Sequence, residues 1–479
     1  MITSAKPIPS TSSPSAEQQP HSQSLVQRIH YRMGMLLEDG KQKNTIAVLD
    51  GVRAIACLCV LVFHLNFFAR ETKVWYPIHD LGSVVGSIAL AGQSGVTLFF
   101  VLSGFLLFMP YAKSLLFHTA WPSARLFYLR RAFRIIPAYY VTLFLMIVLF
   151  HQEYLKPQHW KEVGLFLTFF MDAPATFQKI DGPFWTLAVE AQFYMLLPLL
   201  ALGISLIVRH SSRVWRTLSV SVCLLGVVAW GLLSRYWGHY LAWNPTHSIL
   251  SLPRSFIDMA LPFVYGTNGK YLEDFAIGML ISCAYIYAQN MPLDNKWNRF
   301  MRDVSPTLFG VGLLDLFVMA LWHFNIWYYH YALHFLDPLL NYYDEYNEIC
   351  LAVGFGLCVL AILFGHSLLK RPFEWSPLRW IGLISYSLYM WHVPLIGFFS
   401  YGLIAHLQGW RRIAEYSLFW AWALLVIIPI SLLSYVLVEK PFIRLGEKLR
   451  RAPEKRKQKL RQPVRPVSPV EVDKVAVGK

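Results

Sequence analysis

Two ionisable residues, Arg53 and His64, interrupt the apolar stretch from residue 48 to residue 68. This stretch has roughly the 20 residues needed to span a bilayer, where a charged side chain rarely lies without a partner. On a helix with about 100° of turn and 1.5 Å of rise per residue, the two residues share one face within about 20° and lie about 16 Å apart along the axis. An imidazole can take and return a proton at neutral pH, as chemistry at a hydroxyl group requires. The pair predicts a site that extends from the depth of Arg53 in the membrane to the depth of His64. The alternative is that His64 is a hydrogen-bonded packing group, as a lone membrane histidine often is.

Arginine residues cluster between residues 124 and 140. Arg131 and Arg134 are three residues apart and therefore neighbours on one helix face, and Arg130 extends the cluster. Guanidinium groups suit bidentate binding of phosphates, so we expect a phosphate-carrying donor to dock here, at the cytoplasmic end of the third span. The alternative is ordinary anchoring, in which basic side chains at a helix end extend towards water.

A carboxylate, Glu190, lies inside an apolar run that begins close to Trp185. Counted from the outer helix ends, Glu190 and His64 lie at depths that agree within roughly a few ångström. A carboxylate beside an imidazole raises its basicity and fixes its tautomer, so we expect Glu190 to support His64. Arg53 is a less suitable partner because it lies deeper. The alternative is that Glu190 caps a neighbouring helix, and Trp185 is a further supporting candidate.

Three other stretches carry polar residues in apolar surroundings. Small residues at 94–108 permit close helix packing, and we expect Ser103 to pack there rather than to act as a nucleophile. Tyr389 and His392 fall on one broad face of a later span and are candidates to support the site, with structural hydrogen bonding favoured for His392. The Glu-Lys-Pro sequence at 439–441 predicts that the last span ends at the cytoplasmic surface.

The composition predicts that membrane spans carry these residues. Of 479 residues, 56% are hydrophobic and 15% are charged, whereas a soluble domain has about 25% charged residues. Apolar runs occur at residues 48–68, 88–109, 134–150, 184–208, 214–233, 271–289, 307–327, 347–369, 380–401 and 416–438. The segment 163–170 is too short to span and is predicted to be re-entrant or interfacial. We therefore expect an all-α polytopic membrane protein with about ten transmembrane helices and no separate soluble domain.

The net charge of +15 falls mainly in alternate short loops and in the C-terminal tail. This distribution favours a topology with both termini in the cytoplasm over nucleic-acid binding. We expect a disordered cytoplasmic tail at 1–45, a transmembrane domain at 46–445 and a basic cytoplasmic tail at 446–479. The six cysteines lie mostly in apolar runs and lack metal-site spacing, so neither a disulfide nor a metal site is expected.

Six segments, in this order over about residues 46–445, resemble the membrane acyltransferase-3 family. They are LDGVRAIACLCVLVFH, SGVTLFFVLSGFLL, RRAFRIIPAYY, GPFWTLAVEAQFY, ISYSLYMWHVPL and VEKPF. The family consists of polytopic O-acyltransferases that modify bacterial cell-surface and secreted carbohydrates. The resemblance implies that His64 and Arg53 are essential and that Arg131 and Arg134 contribute to use of the acyl donor. Glu190 matches the family's acidic position.

The resemblance also implies a reaction. An acyl group, usually acetyl, would pass from acyl-CoA on the cytoplasmic side to a hydroxyl of a carbohydrate, with acyl-CoA as a co-substrate and no permanently bound cofactor. His64 would act as general base, and Arg53 would position the donor or stabilise developing negative charge. Aromatic residues at 235–247 could stack on a sugar ring or belong to an aromatic belt. The expected location is the bacterial plasma membrane.

Two other functions compete with acyl transfer. A transporter or flippase for a lipid-linked or anionic solute would place buried charges along its path, but it predicts internal repeats, and the sequence has no convincing one. A structural membrane protein would leave the shared face of Arg53 and His64 unexplained. The sequence favours the O-acyltransferase.

Overall fold

The computed structural model describes residues 33, 34, 37, 46–72, 74, 83–249, 251–292, 295–327, 343–404 and 412–461. Within these residues the chain is helical and has no strand. The α-helices are α1 Ala47–Glu71, α2 Ser83–Leu90, α3 Gly95–Phe117, α4 Ala124–Phe150, α5 Trp160–Leu167, α6 Phe184–Val208, α7 Arg213–Trp243, α8 Arg254–Val264, α9 Leu272–Gln289, α10 Lys296–Trp327, α11 Tyr343–Phe364, α12 Ser367–Glu374, α13 Ser376–Gly397, α14 Arg412–Trp422, α15 Ile428–Ser434 and α16 Lys440–Arg461.

Nine helical stretches in the described ranges are long and apolar enough to cross a membrane. They are Ala47–Glu71, Val84–Phe117, Ala124–Phe150, Phe184–Val208, Trp215–Trp243, Lys296–Trp322, Tyr346–Phe364, Ser376–Leu403 and Ala414–Arg450. Large apolar side chains such as Leu199 and Ile207 are mostly exposed on them, as expected where lipid replaces water. The prediction of an all-helical, multi-pass membrane protein is confirmed.

The predicted span at 271–289 forms α9, which is not among these nine stretches. The first turn of its 18 residues contains Glu273 and Asp274, which lower the mean hydropathy, yet both carboxylates are buried in the bundle. The segment predicted to be too short to span forms α5, with eight residues. The predicted tail at 1–45, apart from residues 33, 34 and 37, lies outside the described residues, as do residues 328–342.

Helix α4 begins ten residues before the apolar run from which it was predicted. The Ser123 hydroxyl accepts a hydrogen bond from the backbone N–H of Leu126 at 3.4 Å, which caps the first turn. The arginine-rich sequence that follows is thus part of the long helix. Its arginines were expected at the mouth of a short span, and the structure places two of them inside the bundle.

The sequence predicted that the last span ends at residues 439–441, but the helical stretch continues beyond Pro441. A π-helical segment, Tyr435–Glu439, joins α15 to α16, and the chain stays helical to Arg461. A proline removes an N–H donor and its ring crowds the preceding turn, and a widened turn relieves that crowding. Part of the predicted C-terminal tail is therefore helical, and Glu439 lies inside the bundle, 1% exposed.

Close helix packing surrounds the centre of the bundle, as predicted from the small residues of 94–108. A Cβ atom at Gly95 would collide with the carbonyl oxygen of Ala56 on α1, and one at Gly104 would collide with that of Phe275 on α9. Glycine at both positions lets the backbones of α1 and α9 approach α3. Together with α4, α6 and α13, these helices enclose the candidate site.

Candidate active site

Five predicted site residues, Tyr389 among them, line one small cavity in the bundle, here called the arginine cavity. Its volume is about 90 Å³, and it is lined by Arg53 of α1, Arg131 and Arg134 of α4 and Glu190 of α6. Side chains of α3 and α13, including Ser103 and Tyr389, complete its wall. The fold thus brings together arginines from helices that are far apart in sequence, which favours an anion as the occupant.

Each arginine in this cavity has a compensating partner. Arg53 Nη1 lies 3.7 Å from Asp50 Oδ1, one turn earlier on α1, and the charges of Arg134 and Arg131 also act on it. The guanidinium carbon of Arg131 lies 5.7 Å from the centre of the Tyr194 ring. The carboxylate of Glu439 is the acidic group that acts most strongly on Arg134.

Glu439 completes the charge balance from behind the cavity. Its Oε2 accepts a hydrogen bond of 3.0 Å from the Ser387 hydroxyl of α13. Sequence reasoning assigned Glu439 only to a helix exit and missed its electrostatic interaction with Arg134. The VEKPF segment was part of the family resemblance, but nothing in its sequence indicates that it folds back onto α4.

Glu190 lies with the arginines rather than with His64. Its Oε1 accepts a hydrogen bond of 2.7 Å from the Ser103 hydroxyl and another from the Tyr194 hydroxyl. The expected contact between Glu190 and His64 is absent from the described structure. Similar depth did not produce contact because the two residues line different cavities.

Arg130 does not share the position of its two neighbours. Its side chain is exposed, and it does not line the arginine cavity. Along a helix, residues one apart point about 100° away from each other, whereas residues three apart share a face. The three-residue spacing of Arg131 and Arg134 therefore predicts which arginines line the same cavity, whereas the number of arginines in the cluster does not.

A second, larger cavity contains His64 and is here called the histidine cavity. Its volume is about 630 Å³, within the range of about 300–1,000 Å³ typical of small-molecule sites. The ring of Trp185 lies 5.4 Å from that of Tyr271 at an angle of 33°, and both line the wall. Asn347 and Glu348 of α11 add polar groups. Aromatic and polar walls of this kind suit a ligand with both apolar faces and hydroxyl groups.

The aromatic residues of 235–247, for which the sequence left sugar stacking and an aromatic belt as alternatives, lie outside the histidine cavity. Trp237, Tyr240 and Trp243, at the end of α7, are exposed and do not line the histidine cavity. The wall is built instead by Trp185, which was a supporting candidate, and by Tyr271. Sequence alone offers no signal that distinguishes an aromatic belt from a binding wall, because both are rich in tryptophan and tyrosine.

His392 holds the ring of His64. Its Nε2 lies 3.2 Å from Nδ1 of His64, while its own Nδ1 lies 2.8 Å from the carbonyl oxygen of Tyr389. Nδ1 of His64 also lies 2.9 Å from the carbonyl oxygen of Val60. Because a carbonyl oxygen only accepts, each neutral ring carries its hydrogen on Nδ1.

This tautomer makes Nε2 the basic nitrogen of His64. His64 Nδ1–H is shared between the Val60 oxygen and the lone pair of His392 Nε2. No described residue forms a hydrogen bond to His64 Nε2. The role predicted for Glu190, holding the imidazole in one tautomer, is therefore filled by His392.

The two cavities meet at three residues. Val96 of α3, Thr186 of α6 and Tyr389 of α13 line both of them. Arg53 and His64 lie on opposite sides of this boundary, about 16 Å apart along α1. The separation predicted along the helix thus corresponds to two chambers in contact.

A buried carboxyl group without a cation lies beside the histidine cavity. Asp181 precedes Gly182 and Pro183, which line that cavity, and neither of its carboxyl oxygens has a hydrogen-bond partner among the described residues. Burial raises the pKa of Asp181 well above its usual range.

Within the described ranges no group of three or more histidine, cysteine, aspartate or glutamate residues could hold a metal ion.

Comparison with known proteins agrees with the resemblance noted in the sequence. The chain is 26% identical over 424 residues to the peptidoglycan O-acetyltransferase OatA of Listeria monocytogenes, covering 84% of this chain and 57% of that protein. It is also 26% identical over 417 residues to a Bacillus subtilis protein named "Putative peptidoglycan O-acetyltransferase YrhL", covering 83% and 55%. The chain thus spans a little over half the length of these relatives.

No solved structure matches the chain. A family assignment therefore rests on sequence. Residues 46–439, which include every residue discussed for both cavities, match the acyltransferase domain of the acyltransferase-3 family. The chain is a multi-pass membrane protein that belongs to this family of acyltransferases.

Proposed function

We propose that the protein is a membrane O-acyltransferase that transfers an acetyl group from acetyl-CoA to a hydroxyl group of a carbohydrate. The observation that carries this proposal is the pair of adjoining cavities. One has three guanidinium groups, and the other has an imidazole whose basic nitrogen has no hydrogen-bond partner among the described residues. A transfer from an anionic donor to a neutral hydroxyl acceptor needs both.

Arg131, Arg134 and Arg53 bind the negatively charged groups of coenzyme A. Guanidinium groups form charge-assisted hydrogen bonds with phosphates, and removal from bulk water strengthens them. The carboxylates of Asp50, Glu190 and Glu439 already balance the charges of these arginines, so the anionic donor is bound through hydrogen bonds from the guanidinium N–H groups and not by neutralising an excess of positive charge. Arg130, which is exposed, takes no part in this proposal.

His64 acts as general base in the histidine cavity. Its Nε2 takes the proton of the acceptor hydroxyl while the hydroxyl oxygen attacks the thioester carbonyl carbon. A C–O bond forms, the C–S bond breaks, and coenzyme A leaves as a thiolate that takes the proton back from His64. The products are an oxygen ester and coenzyme A, and no other co-reactant is needed.

The acceptor is proposed to be a carbohydrate because of the walls of the histidine cavity and the names of the relatives. Trp185 and Tyr271 offer aromatic faces, and Asn347 and Glu348 offer hydrogen-bonding groups. The two relatives named above are peptidoglycan O-acetyltransferases by name. Peptidoglycan fragments are therefore the first acceptors to test.

The proposed topology has ten spans with both ends in the cytoplasm of a bacterial cell, α9 being the tenth span. The 18 residues of α9 extend about 27 Å, close to the thickness of about 30 Å of a bilayer core. Basic residues in alternate loops support the orientation. The proposed orientation puts the arginine cavity nearer the cytoplasm, where acetyl-CoA is made, and the histidine cavity nearer the outside.

The test uses proteoliposomes that contain the purified protein and acetyl-CoA labelled in the acetyl group. With peptidoglycan fragments as acceptors, we expect an alkali-labile labelled ester and one free coenzyme A per ester formed. Protein-free liposomes give the background. If labelled donor or intact acceptor accumulates across the membrane without ester formation, the protein is a transporter and the proposal is wrong.

A further inference from the structure

The boundary between the two cavities has a defined construction. Thr186 donates its hydroxyl hydrogen to the carbonyl oxygen of Pro183 at 2.9 Å. The oxygen of Thr186 lies 2.8 Å from the Tyr389 hydroxyl. Because the threonine has only one hydroxyl hydrogen, Tyr389 is the donor and Thr186 the acceptor in this contact.

Two other rings lie close to the Tyr389 ring. Its centre lies 6.0 Å from that of Phe99, in an edge-to-face arrangement at 79°, and 5.5 Å from that of His392. Both Thr186 and Tyr389 are buried, at 5% and 7% exposure. A tyrosine with a hydrogen-bonded hydroxyl and two close aromatic neighbours turns away only at a cost, which restrains the width of the boundary.

The third residue that lines both cavities is Val96. It is half-buried near the start of α3. A side chain in this position changes the width of the passage without being part of a fully buried core. It is therefore the position at which width can be varied with the least damage to the fold.

A transferred acyl group must pass this boundary, an inference that rests on the function proposed above. The donor is bound from the arginine cavity, and the carbonyl carbon must come within about 3–3.5 Å of a hydroxyl in the histidine cavity. The arginine cavity, at about 90 Å³, is much smaller than the sites that usually hold ligands with rings. The acyl group therefore moves to the acceptor, tail first.

We propose that Val96, Thr186 and Tyr389 form a filter that passes unbranched acyl groups and rejects those branched next to the carbonyl. A linear acyl chain has the cross-section of its methylene groups whatever its length, so a passage of restrained width discriminates against branching. One extra methyl group in such a place typically changes specificity by about 10- to 200-fold. Butyryl and isobutyryl groups have the same atoms and differ only in branching.

The experiment compares transfer from butyryl-CoA and from isobutyryl-CoA to one acceptor, with acetyl transfer measured in parallel. Wild-type protein is expected to transfer butyryl at least about tenfold faster than isobutyryl. Val96→Ala should reduce this ratio at least about fivefold, and Val96→Leu should increase it. Val101→Ala, a buried change on the same helix outside both cavities, should leave the ratio as in wild type.

A second pair of variants tests the hydrogen bond. Tyr389→Phe releases the ring from Thr186 and should reduce the ratio. Tyr139→Phe, its control, removes a hydroxyl that donates to the Phe166 carbonyl oxygen at 2.9 Å away from both cavities, and the ratio should not change. If Tyr389→Phe does not fold, the two Val96 variants decide the question.

The outcomes separate this proposal from the one on which it rests. If acetyl transfer occurs but butyryl and isobutyryl react equally in wild type, the filter is refuted and the acyltransferase stands. The same holds if both Val96 variants transfer acetyl with an unchanged ratio. If wild type transfers no acyl group at all, both proposals fail.

Discussion

The arginine cavity and the histidine cavity differ in what compensates their polar groups. The arginine cavity is small, and each of its guanidinium groups has a carboxylate or an aromatic ring nearby. The histidine cavity is about seven times larger, and its central nitrogen, Nε2 of His64, has no partner among the described residues. This difference is the basis of the proposal that the arginine cavity binds the charged donor and that His64 in the histidine cavity acts as the base.

Replacing His64 should have the largest effect, and this effect should be confined to the chemical step in the histidine cavity. His64→Ala removes the base and should lower kcat about 10²- to 10⁴-fold with little change in the KM for acetyl-CoA, because the arginine cavity stays intact. Steady-state kinetics at varied donor concentration measures both constants. His151→Ala is the control, since that histidine lies outside both cavities and contacts Glu153. An equal loss in the control would contradict the assignment.

Replacing Arg134 should give the opposite pattern. Arg134→Ala loses a charge-assisted hydrogen bond to the donor and should raise the KM for acetyl-CoA about 10- to 100-fold. Arg125→Ala, on an exposed position of the same helix, removes the same charge from outside the cavity and should change the KM less than about threefold. Equal effects of the two changes would show that only the general positive charge of this membrane face matters.

Replacing His392 tests whether it positions the base. His392→Ala removes the acceptor of the His64 Nδ1 hydrogen bond and should lower kcat about tenfold without a change in donor KM. His392→Gln offers a side-chain oxygen that can accept the same hydrogen bond, so it should recover part of the loss. A merely structural role predicts instead that both variants lose folded protein to a similar degree. Folded protein is measured by gel filtration in detergent.

The smallest expected effect concerns Asp181, the carboxyl group without a cation beside the histidine cavity. Because burial raises its pKa, the native state keeps a proton that the unfolded state releases above a pH of about 4. The wild type therefore loses stability as the pH rises from about 4 to the pKa of Asp181 in the folded protein. Asp181→Asn cannot titrate and should raise the midpoint of thermal unfolding by about 2 °C or more at pH 8, and by less at pH 4.5.

A matched variant checks this pH effect. Asp258→Asn changes a carboxylate that is 57% exposed and lies 2.8 Å from Arg254. It should show no gain at pH 8, because this carboxylate is exposed and paired with a cation, so its replacement relieves no burial. A shift of the same size for Asp181→Asn at both pH values would contradict the explanation by burial.

The sequence predicted the membrane fold well because apolar length is a local property. Nine of the ten predicted runs coincide with helical stretches able to cross a membrane. The boundaries of α4 and of the last helix were wrong because charged residues continue those helices beyond the apolar core. Hydropathy reports burial in lipid, and a helix that enters water or a polar cavity need not end where hydropathy falls.

Those features of the site that depend on the geometry of a single helix were predictable from the sequence. The shared face of Arg53 and His64 and the i,i+3 spacing of Arg131 and Arg134 both follow from helix geometry. Contacts between distant segments were not predictable in the same way. Glu190 pairs with Ser103 instead of His64, and Glu439 reaches Arg134 across about 300 residues of sequence.

The sequence by itself determined that this chain crosses a membrane several times and carries arginines and a histidine at two depths. The tertiary structure decided that these residues line two separate chambers and that His392 holds His64. It also decided that Val96, Thr186 and Tyr389 form the boundary between them. The physical reason is that periodicity fixes the face and depth of a residue on its own helix, while only packing fixes which other helix that face meets.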